Sequence, residues 1–144
     1  MTQSQRHIPV MLAEVLSLLD PQPGQTIIDV TCGCGGYADA IRLRLQGQGL
    51  LVACDRDPEM ARCTRERLAA QTGAPFRVFQ ARFSQLKDVL AEAGLTRVDG
   101  LVADLGVASP QIDTPERGFS YRQYGPLCMQ MSPDASLTAE EIVN

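Results

Sequence analysis

Ile27-Ile28-Asp29-Val30-Thr31-Cys32-Gly33-Cys34-Gly35-Gly36-Tyr37 is the stretch that decides the fold. An apolar run ends in an acid, a glycine-rich turn follows, and a helical pattern opens near Tyr37. Glycines at such a turn let bare backbone approach a ligand, and the helix behind them offers its N-terminal N–H groups. A second apolar run, Leu50 to Cys54, delivers Asp55 nineteen positions after Gly36. That is near the spacing of about 20 at which an acidic side chain reaches the hydroxyls of a ribose. Strand, turn, helix, strand and acid in this order form a βαβ unit for a nucleotide cofactor. Gly33-x-Gly35-x-x-Ala38 also satisfies the loose dinucleotide pattern, so the loop by itself leaves the cofactor open, NAD included.

Outward from this unit the same alternation continues. Val10, Leu12, Val15, Leu16 and Leu19 predict an amphipathic helix over Pro9 to Leu19, closed by Asp20-Pro21 and Pro23-Gly24. Thr26 to Thr31 reads as the first strand, Tyr37 to Leu45 as a helix, and Leu50 to Cys54 as the second strand. Asp57-Pro58 opens the next helix, running to about Ala70, with Asp57 as N-cap and Pro58 at the first helical position. Phe76 to Gln80 is a third strand, Ser84 to Ala93 a helix closed by Gly94, and Val98 to Ala103 a fourth strand delivering Asp104. Alternating βα units imply a doubly wound parallel sheet, whose ligands bind beyond the strands' carboxyl ends. Asp29, Asp55 and Asp104 all fall at those ends.

Composition narrows the classes. With 144 residues and 44% hydrophobic content the chain makes one core, and no apolar run approaches the ~20 residues that cross a membrane. Residues Met1 to His7 are polar and lack a secretory h-region, so a cytoplasmic protein is expected. Five cysteines, an odd number, fit a reducing compartment better than a disulfide framework. Cys32, Cys34 and Cys54 flank the loop, but their spacing is not that of a zinc knuckle, and packing of a crowded turn is preferred to a metal. A net charge of −4 disfavours broad attraction to nucleic acid. It leaves room for a local basic surface around Arg56, Arg62, Arg65 and Arg67, or Arg42 and Arg44, although such faces are usually only solvated.

After the fourth strand, Asp104-Leu105-Gly106-Val107-Ala108-Ser109-Pro110-Gln111 leads into a long segment rich in Gly, Pro, aromatics and Met with no clear period. Loops of more than about 15 residues in compact domains are usually functional or disordered, and the bulky apolar content favours function. A flap over the cofactor is expected, packing beneath a neighbouring domain being the alternative.

These residues resemble the RsmH/MraW family, the ribosomal small-subunit RNA methyltransferases that methylate the N4 amino group of a cytidine in 16S rRNA. The likeness runs through His7-Ile8-Pro9-Val10, the Asp29-to-Tyr37 loop, Asp55-Arg56-Asp57-Pro58, Phe83-Ser84, Asp104 to Gln111, Glu116-Arg117-Gly118-Phe119-Ser120 and Gly125-Pro126-Leu127. It implies a Rossmann-like class I methyltransferase fold with S-adenosyl-L-methionine as cofactor. By the resemblance the cofactor contacts fall on Gly35, Gly36, Tyr37, Asp55, Phe83, Asp104 and Gln111, with Asp104 the candidate catalytic residue and no metal. The implied partners are 16S rRNA and the 30S subunit, with no membrane, and a homodimer stays open.

The chain departs from the family's pattern at Cys32, at Tyr37 where the family commonly has His, and at Cys128-Met129-Gln130-Met131-Ser132 where it has Asp-Met-Arg-Met-Asp. Family members are also longer, so the expected sheet is cut short. Residues 1–125 would be the cofactor-binding part and 126–144 the opening of an inserted helical substrate domain. A second function class stays beside the enzyme, a non-catalytic module that binds S-adenosylmethionine or a protein partner.

Overall fold

The computed structural model describes residues 8–144, and His7 lies outside them. Four parallel strands, β1 (Thr26–Asp29), β2 (Leu50–Asp55), β3 (Phe76–Gln80) and β4 (Gly100–Val102), form one sheet in the order β3-β2-β1-β4. Helices α1 (Leu12–Leu19), α2 (Gly36–Arg44), α3 (Pro58–Ala69) and α4 (Leu86–Glu92) alternate with them. Because side chains alternate along a strand, Ile27 and Ile28 enter different cores. Ile27 packs with Leu16 of α1, Ala38 and Ile41 of α2 and Leu68 of α3, while Ile28 packs with Val52, Cys54 and Val89 of α4. The result is a doubly wound, Rossmann-like sheet with β3 and β4 as its edges.

The sequence-based boundaries shift for local reasons. Helix α1 starts at Leu12 rather than Pro9, because Met11 is in the left-handed region (φ 56°) and interrupts the ladder. Strand β4 is shorter than predicted because Asp99 replaces strand pairing at its entrance. Its Oδ2 accepts the Thr26 N–H at 2.8 Å while its own N–H donates to the Thr26 carbonyl. The helix expected from Ser84 begins as a 3-10 turn over Phe83–Gln85. Asp57 does cap α3, its Oδ1 accepting the Glu59 N–H at 3.0 Å.

Contacts divide the chain after Asp104, and Leu105–Asn144 forms a second unit. Within it the segment expected to lack regular structure contains a one-turn helix, α5 (Ser109–Asp113), whose Pro110 sits in the first turn, where no N–H is needed. A 3-10 turn follows at Pro115–Arg117. The Met129 N–H donates to Arg117 O, and the Ala139 and Glu140 N–H groups donate to Cys128 O and Leu127 O. The Gln130 side-chain amide donates to the carbonyls of Ala135 (3.0 Å) and Leu137 (3.3 Å). This position thus braces the unit with neutral hydrogen bonds. Helix α6 (Ala139–Val143) opens on the expected capping box of Thr138 and Glu141.

Among the described residues no helix is long and apolar enough to cross a membrane.

Candidate cofactor site

The glycine loop joins β1 to α2. Gly33 and Gly35 both take positive φ (51° and 79°), which L side chains rarely adopt. A Cβ on Gly35 would also approach Thr64 Oγ1 to 3.1 Å. Helix α3 holds the loop from behind: the Thr64 hydroxyl donates to Gly33 O (2.8 Å) and Arg67 to Cys34 O (3.4 Å). In α2 the Asp39 N–H is bonded to Gly35 O. The N–H groups of Gly36, Tyr37 and Ala38 come before it and have no helical acceptor, the arrangement that suits a carboxylate or phosphate.

The three expected acids gather on adjacent strands. Asp29 pairs in register with Ala53 of β2 and Val102 of β4. Asp55 and Asp104 lie two positions beyond those partners, on either side of Asp29. Asp55 is partly buried, and both its oxygens are engaged: Oδ2 accepts the Gly33 N–H and Oδ1 the Asp57 N–H, each at 2.9 Å. Burial pushes the Asp55 carboxyl up, and these two backbone donors oppose the shift. Asp104 is exposed, and its N–H donates to the Thr31 hydroxyl at 2.7 Å.

Asp29 differs from both. It is fully buried, its Oδ1 accepts the Thr31 N–H at 3.1 Å, and its Oδ2 has no partner among the described residues. Burial pushes its carboxyl up to about 7, and the charges of Asp55 and Asp104 push the same way. The thiols beside it are also held neutral: burial drives Cys32 far up and Cys54 up to about 12.

Phe83 follows β3 and is 57% exposed, an apolar side chain at the surface beside the strand ends. Tyr37 packs its ring in the core, and its hydroxyl donates to the Val10 carbonyl. Gln111 lies in the second unit, buried in α5, with its Oε1 accepting the Ala108 N–H at 2.8 Å.

Sequence reasoning missed the brace from α3. Thr64 and Arg67 are one helical turn apart on the face toward the loop, a spacing that could have signalled it. Arg67 instead read as part of a basic surface. The structure turns Arg67 inward, where it pairs with Asp39 (3.1 Å), while Arg62 and Arg65 stay exposed, Arg62 paired with Glu66 and Arg65 donating to Val78 O. Arg42 is buried, donating to the carbonyls of Ala74, Leu68 and Gln71 and lying over the Phe76 ring.

Residues 4–144 match the MraW methylase family. The chain belongs to that family. A curated relative of this MraW-family chain is the ribosomal RNA small subunit methyltransferase H of Sinorhizobium fredii (strain NBRC 101917 / NGR234). It is 48% identical over 139 residues, which cover 96% of this chain and 38% of the relative. The chain thus spans little more than a third of that relative's length. Solved structures similar to it include a SAM dependent methyltransferase from Aquifex aeolicus (TM-score 0.45, 22% identity, 49% of this chain and 38% of that one). Another is a protein-L-isoaspartate O-methyltransferase (TM-score 0.49, 12% identity, 88% of this chain and 38% of that one). The cofactor that goes with the MraW family is S-adenosyl-L-methionine.

Proposed function

We propose that this chain forms the cofactor-holding part of an enzyme that methylates small-subunit ribosomal RNA, with the N4 amino group of a cytidine in 16S rRNA as acceptor. The observation that carries this reading is the Gly33–Gly35 turn tied to the Asp55 carboxylate and followed by the open N-terminus of α2. The residues suit the adenosyl cofactor. Asp55 has lone pairs left beyond its two backbone bonds and can accept from two vicinal ribose hydroxyls. The Phe83 ring can cover an adenine, and the N–H groups of Gly36 and Tyr37 can meet the amino-acid carboxylate. Asp104 stands nearby as an exposed carboxylate on a backbone anchored by Thr31.

When bound, the cofactor supplies an electrophilic methyl group. The chain's share is positioning. Cytosine N4 is a weak nucleophile because its lone pair is delocalised into the ring, so the amino group has to be aligned and its hydrogen accepted. Asp104 can accept from that amino group or from the methionine ammonium. The target base must be unstacked, which a loop or single strand permits at low cost. Residues 1–125 then serve the cofactor and residues 126–144 open the RNA-facing domain. A 30S substrate places the work in the cytoplasm.

The test is calorimetric titration of the 144-residue chain with S-adenosylmethionine, followed by methyl transfer to 30S particles and nucleoside analysis for N4-methylcytidine. Micromolar binding and a methylated cytidine support the reading. Binding without transfer would favour the module that only holds the cofactor, and absence of binding in a folded sample would sink both.

A further inference from the structure

Three carboxyl groups gather at the ends of neighbouring strands, and they are not equivalent. Asp55 has two backbone N–H groups pointed at it, and Asp104 is exposed to water, so each has compensation for its charge. Asp29 sits between them with no exposed surface, one backbone N–H on Oδ1 and, among the described residues, nothing on Oδ2. A buried carboxylate oxygen without a donor is unfavourable, and a proton on it removes the charge. The charges that act on Asp29 itself are Asp55 on β2 and Asp104 after β4, both acidic, with the neutral thiols of Cys32 and Cys54 and the Tyr37 phenol beside it. The Arg56 guanidinium acts on Asp55, and no cation is among the charges that shift Asp29. The positive charge opposite Asp29 then comes with the ligand.

We propose that Asp29 is the proton-exchanging residue of the cofactor site: its carboxyl group carries a proton in the empty site and releases it when a cationic ligand enters beside Asp55 and Asp104. Uptake of the ligand and loss of the proton are then one event. The proton leaves Asp29 Oδ2 for solvent or buffer, no covalent bond changes in the ligand, and the cluster gains one negative charge opposite the incoming positive one. This rests on the adenosyl-cofactor reading and adds a consequence: affinity for a cationic ligand rises with pH until Asp29 is ionised in the free chain, and is flat above. The sulfonium and ammonium of S-adenosylmethionine make it the probe. S-adenosylhomocysteine, which lacks the sulfonium charge, should release a smaller fraction of a proton.

The experiment is calorimetry with S-adenosylmethionine in buffers of different ionisation enthalpy, at about pH 6 and about pH 8, alongside NMR titration of the Asp29 side-chain carbon in the free chain. Expected are release of nearly one proton per ligand at the lower pH, nearly none at the higher, and an Asp29 carbon that titrates near neutrality. Asp29→Asn, which keeps the shape without the exchangeable proton, should bind with no buffer-dependent heat. Binding without proton release, or an Asp29 carbon that titrates in the ordinary carboxylate range, overturns the proposal while leaving the cofactor reading intact. No binding at either pH overturns that reading and the coupling with it. The wild-type NMR titration decides the protonation of Asp29 even if the Asn variant does not fold.

Discussion

The Asp55 carboxylate, at the end of β2, accepts the Gly33 backbone N–H at 2.9 Å, so the residue that would hold the ribose also fixes the glycine turn leaving β1. The acid and the loop are one device. With its other oxygen on the Asp57 N–H, Asp55 also sets the entry to α3, whose Thr64 returns to bond Gly33 O.

Asp55→Asn therefore does more than remove a charge. Two backbone donors converge on the side chain, and an amide offers one acceptor oxygen and an NH2 that cannot accept. One of the two N–H groups loses its partner, at about 1–3 kcal/mol for a bond to a charged acceptor. The expected outcome is at least a tenfold loss of S-adenosylmethionine affinity together with a lower thermal midpoint, read by calorimetry and by circular dichroism. An Asn variant with unchanged midpoint and affinity would show that neither bond matters.

Asp29 makes a prediction about stability with a definite sign. The unfolded chain loses this proton near the ordinary value of 3.8, whereas the folded chain keeps it to about 7. Between those values the native state binds more protons than the unfolded one, so the Asp29 contribution to stability falls as pH rises and levels off above neutrality. Over that window the loss is about 4 kcal/mol, at about 1.4 kcal/mol per pH unit for a fully buried group. Urea midpoints of Asp29→Asn should be flatter than wild type from mildly acid to neutral pH, with the variant the more stable at about pH 8. A parallel pair of curves would remove Asp29 as their cause.

Tyr37→Phe should separate packing from ligand contact. The hydroxyl donates to Val10 O, inside the protein, and its loss should cost about 1 kcal/mol of stability. Its backbone N–H is untouched by the change. Affinity for S-adenosylmethionine is expected to stay within about twofold. A tenfold loss by calorimetry would mean that the hydroxyl itself reaches the ligand.

The sheet and the three strand-end acids were legible because period, glycine and acid lie close together in sequence. Phe76–Gln80 is predicted to the residue, and the Asp57 cap is read from Asp-Pro alone. What was not legible depends on contacts far apart in the chain. Thr64 bonds a carbonyl 31 positions away, and Asp99 replaces a strand pair 73 positions away. The direction in which the Tyr37 side chain points depends on α1, and no local pattern reveals it. Arg42 misled for the same reason: composition marks it as a surface charge, whereas the turn between α3 and β3 presents carbonyls that only a buried fork of donors can satisfy.

That burial gives the last prediction. The Arg42 guanidinium is held by Ala74 O, Leu68 O and Gln71 O, with Phe76 beneath it at 4.6 Å, and Gly73 passes close enough that a Cβ there would meet the arginine stem. Removing the side chain strands several carbonyls and opens a gap between α2 and the turn. Arg42→Ala should destabilise the chain by about 3 kcal/mol or more. Arg42→Lys should recover only part of this, since one ammonium cannot span three carbonyls in the geometry of a planar fork. Arg44→Ala, on the exposed side of the same helix, should change stability by less than about 0.5 kcal/mol. Chemical denaturation of the three variants decides between a brace and an RNA contact. If Arg42→Ala kept wild-type stability and lost only affinity for ribosomal RNA, Arg42 would have to be reassigned to the binding surface.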